Sequence, residues 1–182
     1  MSSPPPGAAQ YDPACAMAHG DLPPDPTART LIAVFAGPVA QALLHFGRDV
    51  GYRTVLLEPD PARAADGAYA AHELATAVPD GVEYADADAV VVDHDRPELG
   101  EVLRDVLEAE PRWVGVMGSP RHTAPHLAAL RALGVAEETI ARVHRPVGLN
   151  IGSKTPPEIA VSVVAGLIAD RNGRPGGAYP IG

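Results

Sequence analysis

Five short stretches of the sequence combine residue types that can do chemistry. The first, Phe35-Ala36-Gly37-Pro38-Val39-Ala40, follows an apolar run and opens a segment of helical period. A dinucleotide-binding loop of form G-x-G-x-x-G has this placement, because its glycines let the backbone approach a pyrophosphate while the amides of the next helix face it. Only the central glycine, Gly37, is present. Phe35 takes the first position and Ala40 the third, so bulk is expected where the turn usually needs a glycine. Glu58, about 20 residues further on, stands where such folds keep a ribose-binding acid. Each feature alone is also what an ordinary strand-to-helix turn and a solvated acid look like. The third stretch, Asp93-His94-Asp95, sets an imidazole between carboxylates, where it could bind a ligand or shuttle a proton; the plainer reading, favoured here, is a loop that caps the following helix. The fourth, Gly118-Ser119-Pro120-Arg121-His122, brings a small turn, a hydroxyl, helix amides and a cation together, as an anion site does. A Ser cap followed by Pro accounts for part of it but does not call for Arg121. In the fifth, residues 144–160, the special backbone of Pro146, Gly148, Gly152, Pro156 and Pro157 surrounds Lys154 and follows His144. That density suits either a ligand loop or a structural clasp.

For these stretches to act together, regular elements must bring them to one place. Short apolar runs at 31–35, 54–57, 89–92 and 113–117 read as strands covered on both faces, with a weaker strand expected at 139–143. Between them, Val39, Leu43, Phe46 and Val50 make one helical stripe, Leu99, Val102, Leu103, Val106 and Leu107 another, and Leu127, Leu130 and Leu133 a third. The last helix carries its own start signal: Thr155 as cap, Pro156 at the first position, and Glu158 completing a capping box ahead of Ile159, Val163, Leu167 and Ile168. Alternating strands and helices predict a single Rossmann-like α/β domain, with a mostly parallel sheet and helices on both faces. Right-handed crossovers then bring Phe35, Glu58, Asp93 and Gly118 to one edge, beyond the carboxyl ends of the strands, where such sheets bind ligands. The expected organisation is a Pro-rich arm over 1–29, the domain over 30–172 and a flexible tail over 173–182.

Composition removes several function classes. The formal charge is −9, and Lys154 is the single lysine, so a nucleic-acid footprint is not expected. The longest apolar stretch, 159–169, is broken by Ser162 and Gly166 and is too short to span a bilayer. No apolar signal-peptide core follows the N-terminus, and Cys15 is the single cysteine, so a cytoplasmic protein without internal disulfides is expected. The seven His are scattered, without a zinc-ligand spacing. There is neither a Y-x-x-x-K pair nor a G-x-S-x-G elbow.

Read in order, Trp113-Val-Gly-Val-Met-Gly-Ser119, Arg121, a leucine-rich helix ending at Gly134, His144-x-Pro-Val-Gly-Leu-Asn-Ile-Gly and Thr155-Pro-x-Glu-Ile-Ala-Val-Ser-Val resemble the C-terminal Rossmann domain of the XdhC/CoxI family, the xanthine dehydrogenase and carbon monoxide dehydrogenase accessory factors. Upstream, 36–43 is similar to that family's G-A-G-H-V-G-Q-A-L and 87–95 to its A-D-A-V-V-V-x-T-H-D. The resemblance implies a maturation factor, a carrier more than a catalyst, that helps load molybdenum cofactor (molybdopterin) into molybdenum hydroxylases. It implies a ligand crevice of Gly37, Glu58, His94, Gly118, Ser119, Arg121, His144, Gly148 and Gly152. The partner it implies is a molybdenum hydroxylase client, or a separate polypeptide carrying the family's N-terminal domain; a homodimer is a further arrangement. The sequence departs from the family at Phe35, Pro38, Ala40, Pro120 and Asn150, and nothing around Cys15 matches the family's S-G-G-C segment. Two alternatives stand beside this reading: an NAD(P)-dependent oxidoreductase, and a scaffolding or regulatory homodimer with no small ligand.

Overall fold

Runs of leucine and β-branched residues without polar interruption need cover on both faces, and in the folded chain they receive it. The computed structural model describes residues 29–67, 69–118 and 124–177. Its six strands, β1 (Thr30–Val34), β2 (Arg53–Leu57), β3 (Glu73–Ala75), β4 (Ala87–Val91), β5 (Trp113–Val116) and β6 (Val143–His144), form one sheet in the order β3-β2-β1-β4-β5-β6. All five pairings are parallel. In register, Val34 at the end of β1 lies between Leu57 and Val91.

Because side chains alternate along a strand, each strand feeds two cores. Ile32, Val34, Val55, Leu57, Ala89 and Val91 face one core. Leu31, Ala33, Leu56 and Val90 face the other. The first is closed by α3 (Leu99–Glu108) and α4 (Pro125–Ala132), through Leu103, Leu107 and Leu130. The second is closed by α1 (Pro38–Asp49) and α6 (Pro156–Arg171), which pack on each other through Leu43, Leu44, Val163 and Leu167. Each such side chain contributes about 1.5–3 kcal/mol by leaving water. The chain is therefore a Rossmann-like α/β domain, as the sequence predicts. Among the described residues, no helix is long and apolar enough to cross a membrane.

The start of α6 is as expected. Thr155 and Glu158 form the capping box, Glu158 Oε2 accepting the Thr155 N–H at 3.0 Å and the Lys154 N–H at 2.7 Å. The weak strand expected at 139–143 is corrected: Glu137–Ile140 is instead a helical turn, α5, and the strand shrinks to Val143–His144. Acidic Glu137 and Glu138 suit a helix start, and coiling puts Ile140 into the first core. A five-residue helix, α2 (Pro61–Ala65), and the edge strand β3 carry no strong periodic signal in the sequence. At the amino edge of the sheet, fully buried Asp88 joins β4 to its surroundings. It accepts from Tyr52 Oη at 3.1 Å, Arg112 Nε at 2.7 Å and Arg171 Nε at 2.7 Å.

Candidate functional site

A strand order of 3-2-1-4-5-6 reverses direction between β1 and β4, and the loops leaving these strands make the crevice that such sheets offer to ligands. Phe35, Glu58, Asp93 and Gly118 all lie just past the carboxyl ends of strands on this edge.

The half of the edge over β1 and β2 is engaged by the chain itself. Phe35 has φ +75, a conformation that costs a bulky residue roughly 1–3 kcal/mol. Its amide nevertheless extends the ladder, donating to Leu57 O at 2.8 Å. The ring is fully buried in the first core, so its bulk does not crowd the loop as the sequence suggests. What lies over it is Arg96, whose guanidinium sits 4.7 Å from the ring centroid. Arg96 also forks onto Glu58, with Nη1 to Oε2 and Nη2 to Oε1 both at 2.9 Å. Glu58 Oε2 further accepts the Ala36 N–H at 2.8 Å and Oε1 the Asp60 N–H at 3.0 Å. Burial alone would push the Glu58 carboxyl up; the Arg96 hydrogen bond and the two backbone donors outweigh it and hold it below the usual carboxylate range. A ribose reaching Glu58 would have to displace Arg96. Beside them, Tyr69 and Gly37 border the same crevice at the mouth of α1. A crevice of about 380 Å³ remains, bordered by Gly37, Arg63, Tyr69, Asp93 and Arg96.

The half of the edge over β4, β5 and β6 has a different chemistry. Gly118 has φ +153, and a Cβ there would stand 2.7 Å from an Nη of Arg145. The glycine therefore lets the guanidinium lie directly on the end of β5. His126, in the first turn of α4, is 2% exposed, and its Nδ1 is buried with no hydrogen-bond partner. Its pKa is lowered, chiefly by burial and then by the positive charges of Arg145 and His94. His94, partly exposed, has Asp95 Oδ1 at 3.8 Å from Nε2. The Arg145 guanidinium thus lies against the end of β5 at Gly118, a cation suited to an oxyanion.

Of the remaining sequence candidates, Ser119 and Arg121 lie outside the described residues. His144 pairs with Gly115 in register and stacks on Trp113, with centroids 5.0 Å apart and planes 9° apart; its neighbour Arg145 is the residue against Gly118. Gly148 presses on α6, where a Cβ would meet Ser162 Oγ at 2.6 Å, and the next amide, of Leu149, donates to Ser162 O at 3.0 Å. This part of the loop is built as a clasp on α6. Gly152 has open space around it. Sequence reasoning misses Arg96, His126 and Arg145; an arginine directly before proline at both 96 and 145, in loops after strands, is the signal that could have found the two arginines. Among the described residues, no group of three or more His, Cys, Asp or Glu is placed to hold a metal.

Comparison with known proteins places this geometry in a family. The profile described as the XdhC Rossmann domain matches residues 31–167. The chain is 29% identical over 147 residues to a Bacillus subtilis protein described as a probable xanthine dehydrogenase subunit, covering 78% of this chain and 42% of that protein. It is 48% identical to YqeB, an uncharacterized protein of Escherichia coli K12, over 77 residues, 42% of this chain and 14% of YqeB. A crystal structure described as a xanthine dehydrogenase from Bacillus halodurans superposes with a TM-score of 0.64 at 27% identity, covering 84% of this chain and 45% of that one. The chain spans less than half the length of each of these relatives. With the family profile matching three quarters of its length on a sheet of the same kind, the chain belongs to the XdhC Rossmann domain family.

Proposed function

We propose that this protein is an accessory factor in maturing molybdenum hydroxylases of the xanthine dehydrogenase and carbon monoxide dehydrogenase type. In this reading it holds a phosphate-bearing ligand, the pterin phosphate of molybdenum cofactor as cargo, at the carboxyl edge of its sheet. Ser119 and Arg121 contribute to the site beside Gly118, and the protein carries its ligand without transforming it. A client enzyme, or a separate polypeptide supplying what the longer relatives have in addition, completes the function.

The observation that carries this reading is the contrast between the two halves of the edge. Where a dinucleotide would need Glu58, the carboxylate is held by Arg96 and two backbone amides. Beside Gly118, by contrast, lies the Arg145 guanidinium. This favours an anion carrier over an NAD(P)-dependent oxidoreductase.

A thermal-shift panel of NAD, NADP, GMP and pterin phosphates tests it, since a ligand selective for the folded state raises the midpoint. A pterin phosphate is expected to raise the midpoint and NAD to leave it in place. Arg121→Ala is expected to weaken the pterin phosphate by about 1–3 kcal/mol, the range of a charge-assisted hydrogen bond. Micromolar or tighter NAD binding would instead restore the oxidoreductase.

A further inference from the structure

We infer that Arg96, lying on the Phe35 ring, is a built-in occupant of the ribose position: its guanidinium takes both oxygens of Glu58 and so makes the carboxyl edge refuse ligands that bind through a vicinal diol. This rests on the reading of the protein as a carrier of a phosphate-bearing ligand, and it narrows the class carried to phosphates that need no ribose bound there.

The plug is built from three loops. In the sheet β1 lies between β2 and β4, and Arg96 follows β4, so its side chain crosses the end of β1 to reach Glu58 past the end of β2. Beneath it, where a dinucleotide loop has its first glycine, Phe35 takes φ +75 and its ring joins the first core. The guanidinium rests 4.7 Å from the ring centroid, a contact that draws a cation to the ring face. Its Nε lies 3.4 Å from Glu98 Oε2, which steadies the group from its own loop. What the fork takes is what a ribose would take. Each Glu58 oxygen accepts one backbone N–H, from Ala36 at 2.8 Å or Asp60 at 3.0 Å, and one guanidinium N–H at 2.9 Å. The hydroxyls of a ribose would be the competing donors to an acid at this place in the fold. Both backbone donors remain when Arg96 is removed, so the carboxylate keeps its anchors and each oxygen regains an open acceptor site. Room for the rest of such a ligand adjoins it. The crevice of about 380 Å³ is bordered by Arg96, Gly37, Arg63 and Asp93, and a Cβ at Gly37 would meet nothing within 4 Å. The fork, rather than the bulk of Phe35, closes the place to a nucleoside.

The test compares adenosine monophosphate with its dideoxy analogue, which lacks both ribose hydroxyls, by calorimetry on the full chain of the wild type, Arg96→Ala and Arg96→Met. The wild type is expected to bind the two equally weakly. Each variant is expected to bind adenosine monophosphate roughly tenfold or more tighter than the wild type does, and by a similar factor tighter than it binds the analogue, the gain that hydrogen bonds to a charged acceptor supply. Adding Glu58→Gln to Arg96→Met is expected to remove both differences. Ethylguanidinium, which refills the vacated fork, is expected to compete with adenosine monophosphate in Arg96→Ala; a merely structural Arg96 gives no competition. Near-ultraviolet circular dichroism reports whether each variant keeps the native core. Should neither single variant fold, the wild type decides alone: equal binding of the two ligands supports the plug, and a clear preference for the ribose hydroxyls overturns it. Folded variants that bind adenosine monophosphate no better than the wild type also overturn it, as does a gain that extends equally to the analogue. A pterin phosphate that leaves the wild-type midpoint unmoved sinks the carrier reading instead, and the diol comparison stands apart from that result.

Discussion

Glu58 shows how one residue type at one position carries opposite meanings. An acid at the end of the second strand is a ribose ligand when it faces an open crevice, and a structural counter-ion when an arginine reaches it first. Here Arg96 reaches it, from 38 residues away, and the pair is buried at 8% and 0% exposure. Removing one partner strands a buried charge, so Arg96→Ala is expected to cost about 3–5 kcal/mol, far more than a surface arginine; urea denaturation measures it. The same pair sets a pH dependence. Because the folded-state pKa of Glu58 lies below its unfolded value, its contribution is fully present above the ordinary glutamate range and disappears as pH falls through the lowered folded value. Glu58→Gln should therefore flatten the loss of stability between about pH 5 and the acid limit. Identical acid limbs for the wild type and Glu58→Gln would exclude the assignment.

At the scale of elements, α6 is apolar on nearly every side, with Ile159, Val161, Val163, Val164, Leu167 and Ile168 distributed around it, so periodicity alone does not say which side is inside. The fold decides: Val163 and Leu167 pack under β1 and α1, while Val161 is 45% exposed. Leu167→Ala is expected to destabilise by about 2–5 kcal/mol, and Val161→Ser to stay within about 0.5 kcal/mol. Thermal and chemical unfolding of the two variants compares the faces directly. Equal losses would mean that α6 is covered on both sides. The clasp at Gly148 belongs to the same element. Gly148→Ala must accommodate both φ +83 and a Cβ 2.6 Å from Ser162 Oγ, and it is expected to cost at least about 1–3 kcal/mol in the same unfolding measurements.

Across the whole molecule, the two edges of the sheet divide the work. The amino edge is tied by Asp88, which holds Arg112 and Arg171 and accepts the Tyr52 hydroxyl. Burial, followed by the Asp88 charge, pushes Tyr52 up to about 12, so it remains a neutral donor. These contacts bind the approach to β2, the start of β4, the approach to β5 and the end of α6, four regions separate in sequence. Asp88→Ala is expected to lower stability by about 1–3 kcal/mol, because Tyr52, Arg112 and Arg171 each lose a buried acceptor while Arg112 keeps Asp170 and Arg171 keeps Asp86, yet to leave phosphate affinity unchanged at temperatures where the variant stays folded. Phosphate affinity that dropped in proportion to stability would contradict this division.

The sequence by itself determined the class of the fold and the edge on which to look. Continuous apolar runs read as strands covered twice, helical stripes lie over them, and parallel crossovers bring loop ends to one side, so Phe35, Glu58, Asp93 and Gly118 could be gathered at one edge from the strand pattern. Local signals also sufficed for the capping box at Thr155 and Glu158, whose partners are three residues apart. Tertiary structure decided what those signals could not carry. Three-residue β3 exists because β2 offers it a ladder, and the stretch around Ile140 coils because the core takes its side chain that way. The pairing of Arg96 with Glu58, and the seating of Arg145 on Gly118, join loops separated by tens of residues. Such meetings depend on strand order and on which side chain arrives first. No periodicity records either one, because the energy that selects them is long-range packing and charge pairing rather than local backbone preference.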